Sequence, residues 1–207
     1  MSEPMSVPGL PFPAVPSGQS PWTVEGDGLI TVTAMPHSDL FIDPTGESGT
    51  AAETLLNAVT LLGEPPAGDF VFTARVATTF ESTFDAGVLL LWADERHWAK
   101  LCFERSPSGA PMVVSVVTRG VADDANAFSV AGQEVWLRIA RVGRAFAFHA
   151  SPDGADWAFV RVFALGDGLP PVRVGFEAQS PTGEGCRVGF DHISFASRTL
   201  ADLRDGS

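Results

Sequence analysis

Positive charge is scarce in this chain, and lysine almost missing. Against 25 acidic residues stand 13 basic ones, of which twelve are Arg and one is Lys100, for a net charge of −12 and a pI near 4.6. That balance excludes nucleic acid and anionic membrane surfaces as partners, because both reward clustered positive charge. Charged residues of both signs make up only 18%, below the usual ~25%. Tyr is absent, so the aromatic complement is 15 Phe and 5 Trp. No apolar run approaches the roughly 18 residues of a membrane span. The opening MSEPMSVPGLPFP has neither the basic start nor the uninterrupted apolar stretch of a signal peptide, and Pro recurs through it. Two cysteines, Cys102 and Cys186, are too few for a disulfide framework. Both sit in apolar, strand-like runs, which predicts buried free thiols. Together these features predict a cytoplasmic protein.

Several catalytic and cofactor signatures are missing too. There is no Ser-His-Asp order and no Rossmann fingerprint, and PTGEG (residues 181–185) links two strands and opens no helix, so it is no phosphate cradle. His37, His97, His149 and His192 share no ligand spacing, which argues against a zinc site. Calcium has two candidate acidic groups, Asp39/Asp43 and Asp123/Asp124/Asn126, with hard oxygens but no EF-hand spacing. No cofactor is therefore expected.

What is abundant is turn chemistry. Gly and Pro number 21 and 16, and between the turns run short alternating segments. GDFVFTARV (68–76) sets Phe70, Phe72, Ala74 and Val76 against Val71, Thr73 and Arg75. AGVLLLW (86–92) is apolar on both faces, as a central strand would be. Further strands are predicted at 98–104, 111–120, 134–142, 145–151, 158–165, 172–179 and 186–195. Ser108-Gly109, Val142-Gly143, Asp153-Gly154, Gly166-Asp167-Gly168 and Gly183-Glu184-Gly185 punctuate them. Short strands with few helical stretches predict an all-β, antiparallel two-sheet β-sandwich. Residues 1–21, with six prolines, predict a Pro-rich extended arm lying on the surface or mobile. The sandwich occupies 22–196, and 197–207 form a short tail with one turn around Leu200 and Leu203. One segment is ambiguous: TAAETLLNAVTLL (50–62) opens on a capping-box pattern, Thr50-x-x-Glu53, that suits a helix.

In order and spacing, SDLFIDP (38–44), LLNAVTLL (55–62), GDFVFTARV (68–76), FDAGVLLLWADERHWAKLCFE (84–104), VVSVVTRG (113–120), VWLRIARVG (135–143), FHASPDGADW (148–157) and VGFEAQSPTGEGCRVGFD (174–191) resemble the DUF1349 family. These are regulation-of-enolase-like bacterial and fungal proteins of largely unassigned function. The resemblance covers about residues 22–195. It implies a concanavalin A-like lectin/glucanase jelly roll of twelve to fourteen strands, with a strand rather than a helix at 55–62. It also implies one concave sheet that holds glycan or substrate. The SDWS-like stretch of many members reads Ala122-Asp123-Asp124-Ala125 here, so its Trp is missing.

Strand parity then nominates outward polar side chains. They are Trp98, Lys100 and Glu104, Ser115 and Arg119, Trp136 and Arg138, His149, and Arg173, Glu177 and Gln179. Trp rings stack on the C–H faces of sugars, and Arg, Glu, Gln and Lys match hydroxyls. The candidate ligand set is thus Trp98, Lys100, Glu104, Arg119, Trp136, Arg138, His149, Glu177 and Gln179. The competing reading is a solvated face with cross-strand ion pairs, Arg138–Glu177 among them. Lys100 stands apart as the one compact cation among broad guanidinium forks. Three functions follow: a non-catalytic module binding a small carbohydrate or polyol, an interaction module regulating a metabolic enzyme, or a glycoside hydrolase using Glu104 and Glu177. The last needs two carboxyls about 5–9 Å apart across a glycosidic bond, and the E-x-D-x-x-E motif of laminarinase-like glucanases is missing. SPDGADW (151–157) reads as a tight turn at Asp153-Gly154 with Trp157 packed beneath.

Overall fold

The computed structural model describes residues 2–17, 21–46 and 54–207. Thr50 and Glu53, the capping-box pair, lie outside the described residues. Among those described, every named element is a strand, and no helix is long and apolar enough to cross a membrane. Two seven-stranded antiparallel sheets pack face to face, with a two-stranded ribbon beside them.

The first sheet runs in the order β1 (Ala14–Pro16), β6 (Val59–Gly63), β15 (Arg173–Gln179), β8 (Ala86–Asp94), β9 (His97–Arg105), β10 (Pro111–Arg119) and β11 (Ala122–Ser129). The second runs β14 (Ala158–Phe163), β13 (Ala145–Ser151), β12 (Glu134–Val142), β7 (Phe70–Thr78), β16 (Arg187–Ala196), β3 (Ile30–Thr33) and β2 (Thr23–Val24). The ribbon pairs β4 (Leu40–Phe41) with β5 (Leu55–Leu56). The segment 55–62 is therefore two strands, broken at Asn57–Ala58. The break occurs because Asn57 turns to serve the chain at 37–39: its side chain bonds the Asp39 amide and the His37 carbonyl, both at 3.0 Å.

The core between the sheets follows the predicted alternation. Phe70, Phe72, Ala74 and Val76 of β7 meet Leu89 and Leu91 of β8, Phe176 of β15 and Phe190 of β16 in one buried cluster. Phe176 forms an aromatic knot there with Phe72 and Phe190, at centroid distances of 5.4 and 4.8 Å. Cys102 and Cys186 are buried free thiols.

The N-terminal arm departs from expectation. It does not lie on the surface but completes the first sheet: Ala14 pairs with Gly63 of β6, and Val7, Phe12 and Ala14 join the main core. Proline blocks a central strand but is tolerated on an edge, so Pro13 and Pro16 are compatible with β1 at the sheet's margin. At the other terminus, the turn lies at 202–206, closed by the Gly206 amide donating to the Asp202 carbonyl at 3.0 Å. Leu200 packs on Val71 and Ala140, on the outer side of the second sheet.

Candidate functional site

The outer face of the first sheet carries the side chains that point away from the core. On β8 these are Ala86, Val88 and Leu90, on β9 Trp98, Lys100, Cys102 and Glu104, and on β10 Met112, Val114 and Val116. Most of them form a second apolar cluster, closed from above by Leu40, Phe41 and Ile42. The crossing segment is pinned at several points. Ser38 pairs with Ser180 through both backbone amides, and Ile42 accepts from the Ala122 amide at 2.9 Å. The expected concave groove is thus largely filled by the protein's own residues 39–42. What remains is a cavity of about 280 Å³ bounded by Asp39, Phe41, Phe84, Lys100, Glu104, Asp124 and Gln179 and by Leu55, Val116, Pro181 and Thr182.

Lys100 lines it. Its Nζ donates to Asp39 Oδ1 at 2.6 Å and to Gln179 Oε1 at 2.7 Å, and the residue is 2% exposed. Burial disfavours its charge, but the carboxyls of Asp39 and Glu177 outweigh that loss and hold Lys100 above the ordinary lysine value. Glu104 lines the cavity at 7% exposure and forms no hydrogen bond among the described residues. Burial pushes its carboxyl up to about 8, with Lys100 pulling the other way. Glu177 is fully buried, neither of its oxygens has a partner, and burial raises it to about 8 as well. At neutral pH both are predominantly uncharged acids. Asp124, on β11, is raised in the same direction by partial burial.

Of the nine nominated residues, the structure gathers Trp98, Lys100, Glu104, Glu177 and Gln179 on this face. Trp98 is no stacking platform, because it is wholly buried in the second apolar cluster. Trp136, Arg138 and His149 lie on the opposite side of the molecule, on the outer face of the second sheet. There His149 Nε2 donates to the Leu203 carbonyl at 2.8 Å and the Arg138 guanidinium stacks 4.1 Å over Trp157. Arg138 and Glu177 belong to different sheets, so the suggested cross-strand ion pair does not exist. Ser115 shares the parity of Val113 and Val117 and faces inward. Arg119 ends β10 at the rim and reaches the Ala164 carbonyl. In the 151–157 turn, Trp136 rather than Trp157 packs beneath. A Cβ on Gly154 would meet the Trp136 ring at 2.8 Å, and with φ at +76° the position suits glycine doubly.

Glu104 and Glu177 sit on strands separated by β8, and Glu177 does not border the cavity. They therefore do not flank a substrate bound there as a glycosidase pair would. The candidate calcium ligands are engaged otherwise: Asp39 with Lys100, Asp43 with the Thr45 amide at 2.8 Å, and Asp123 with Arg161 at 2.6 Å. Among the described residues, no three His, Cys, Asp or Glu side chains gather in a metal-holding arrangement.

Parity did not bring forward Phe41 and Phe84, since both lie outside the long strands. Phe84 is a bulky residue at φ +68°, in the left-handed region that such side chains avoid. Its 37% exposed ring supplies the cavity wall. Asp39 and Asp124 stood out only as acids.

The comparisons agree with this architecture. Regulation of enolase protein 1 of Saccharomyces cerevisiae is 29% identical over 147 residues, 70% of this chain and 72% of its own length. The crystal structure of a functionally unknown protein from S. cerevisiae superposes with a TM-score of 0.78 at 22% identity, covering 90% of this chain and 97% of that one. The GH43 protein BlXynB of Bacillus licheniformis matches at 0.70 and 13%, over 90% of this chain but only 37% of its own. The carbohydrate-binding module CBM66 of Bacillus subtilis matches at 0.56 and 12%, over 92% and 98%. At such identities these structures speak for the shared sandwich fold. Residues 18–198 match the model of DUF1349, a family of proteins of unknown function, and the chain belongs to it.

Proposed function

We propose that this protein is a non-catalytic module that binds one small carbohydrate or polyol in the cavity under residues 39–42. The observation that carries the reading is the combination of walls and floor: the rings of Phe41 and Phe84 against the polar ends of Asp39, Lys100, Glu104, Asp124 and Gln179. Rings accept the C–H face of a sugar, and fixed donors and acceptors match its hydroxyls. At about 280 Å³ the space falls just below the roughly 300–1,000 Å³ of pockets for drug-sized ligands, which suits a single sugar ring. A carbohydrate-binding module on the same fold supports the reading. So does the fully buried Glu177, which lies outside the lining and does not pair with Glu104 across the space.

Calorimetric titration of the pure protein with a monosaccharide and polyol panel at millimolar concentration tests this. A member of the panel is expected to bind, and Phe84→Ala is expected to weaken it about tenfold. Silence across the panel overturns the proposal.

The yeast relative's name supports a second reading, an interaction module regulating a metabolic enzyme. Its surface would be the free edge of the second sheet, where Phe159 and Val162 of β14 are 39% and 40% exposed. Purified enolase titrated against the protein discriminates: no binding counts against this second reading, and binding lost in Phe159→Asp favours it.

A further inference from the structure

The charges around the cavity do not balance. Asp39, Glu104 and Asp124 border it, Glu177 stands behind Lys100, and Lys100 is the only cation among the described lining residues. Its ammonium is already engaged by Asp39 and Gln179. Asp39 is thereby answered, and Glu104 and Asp124 are left facing the space with no cation of their own. Arg161 is the nearest other help to Asp124, and it is committed to Asp123 at 2.6 Å.

Acidic groups together are common on surfaces and mean little by themselves. Glu104 supplies the independent observation. It is more than nine-tenths buried, lines the cavity and makes no hydrogen bond among the described residues. A buried carboxyl without a partner costs free energy unless something answers it. In the protein by itself that something is a proton.

We propose that the ligand carries a primary ammonium, as an amino sugar or amino polyol does, and that this ammonium sits between Glu104 and Asp124. The inference rests on the polyol-binding reading above and narrows it. An ammonium offers three donors to two carboxyls and lies within reach of the rings of Phe41 and Phe84. Binding replaces the proton on Glu104 with the ligand's charge, so the proton leaves to solvent. The groups facing Glu104 are Lys100 on its own strand, Asp124 from β11, Asp39 from the crossing segment and Glu177 from β15. Its paired neighbours on β8 and β10, Ala86 and Met112, carry no charge. Lys100 keeps its proton throughout, because Asp39 stays beside it.

The test is calorimetry of the full chain near neutral pH with glucosamine, glucose and ethanolamine, each in two buffers of different ionisation enthalpy. Glucosamine is expected to bind about tenfold more tightly than glucose and to release protons on binding. Glu104→Gln, an isosteric neutral replacement, is expected to abolish the proton release, and Asp124→Asn to narrow the preference, with circular dichroism confirming the fold of each. Equal affinity for glucose and glucosamine overturns the inference and leaves the polyol reading standing. Ethanolamine binding as tightly as glucosamine supports the ammonium site and overturns the polyol reading. Silence on all three overturns both.

Discussion

Lys100 Nζ and Asp39 Oδ1 lie 2.6 Å apart, and the bond between them ties the middle of a central strand to the segment that crosses over it. Apolar contacts hold that segment only loosely in register, because greasy surfaces slide. A charge pair fixes one point. With Gln179 as the second acceptor, Lys100 joins β9, β15 and the crossing segment at a single nitrogen. The chain's one lysine is thus a clamp at the edge of the candidate site, and its compact ammonium fits where a guanidinium fork would not.

Removing the clamp is expected to cost more than the pair's net worth. Lys100→Met leaves Asp39 facing a buried face without its cation and is expected to destabilise by about 3 kcal/mol. Asp39→Asn is expected to cost at least as much, since it leaves the 2% exposed Lys100 ammonium without its carboxylate, whereas the Asp39 left by Lys100→Met retains 16% exposure. Adding Asp39→Asn to Lys100→Met should recover part of the loss. Urea unfolding of the two single variants and the double variant measures the coupling, and additive losses would show that the two residues act independently.

Glu104 and Glu177 make a pH signature. Their folded values near 8 stand above the ordinary 4.5, so the folded state binds more protons than the unfolded state across that interval. The stability this supplies is complete below about 4.5 and is lost as pH rises through about 8. His149 works in the opposite sense, but only between about 6.5 and 4. From about 6.5 to 8, stability is therefore expected to fall, by up to about 1.4 kcal/mol per pH unit for each carboxyl. Glu177→Gln should flatten that slope. A flat urea midpoint across this interval in the native chain would contradict the assignment.

Much of this was legible in advance, and the missed parts share a cause. The long strands were readable because each alternates against a core, as Phe70, Phe72, Ala74 and Val76 do. The strand at Ala122–Ser129 was not, since Asp123, Asp124 and Asn126 read as loop chemistry while forming an exposed edge. Parity correctly set Lys100 and Glu177 facing away from the Phe core. It could not tell one outer face from the other, so Arg138 and His149 were grouped with residues on the far side. Nor does alternation register what covers a face. Leu40, Phe41 and Ile42 bury Trp98 and turn an expected groove into a small cavity, through contacts between segments some 60 positions apart.

The N-terminal arm is expected to act as a structural strand. The Phe12 ring packs edge-on against Phe195 at 5.2 Å, and a Cβ on Gly63 would meet it at 2.5 Å, so strand β6 lacks a side chain to admit the ring. Phe12→Ala should therefore cost about 3 kcal/mol and expose Leu10 and Ala14 to limited proteolysis. Gly63→Ala should do the same by displacing the ring. Unchanged unfolding in both would make the arm an appendage.

Acid is expected to release the C-terminal tail. A carbonyl oxygen can only accept, so the bond from His149 to Leu203 requires the proton on Nε2 and leaves Nδ1 bare. That Nδ1 is buried without a partner, beside an Arg138 whose Nε and Nη2 are also unanswered. Burial first, then the Arg138 charge, pushes the imidazole down to about 4. Because the folded value lies below the ordinary 6.5, the stability held here is present above 6.5 and is lost as pH falls through about 4. Protonation would set a second cation against Arg138, and the chain relieves it most cheaply by lifting residues 200–207. Amide exchange of Gly206, whose hydrogen bond closes the tail's turn, should lose its protection between about pH 6.5 and 4, slowing less than the base-catalysed intrinsic rate slows. Leu200→Ala, which removes the tail's buried anchor on Val71 and Ala140, should already show that exchange at neutral pH. Protection of Gly206 that persists at pH 4 in the native chain would show that the tail is held by packing and not by the neutral imidazole.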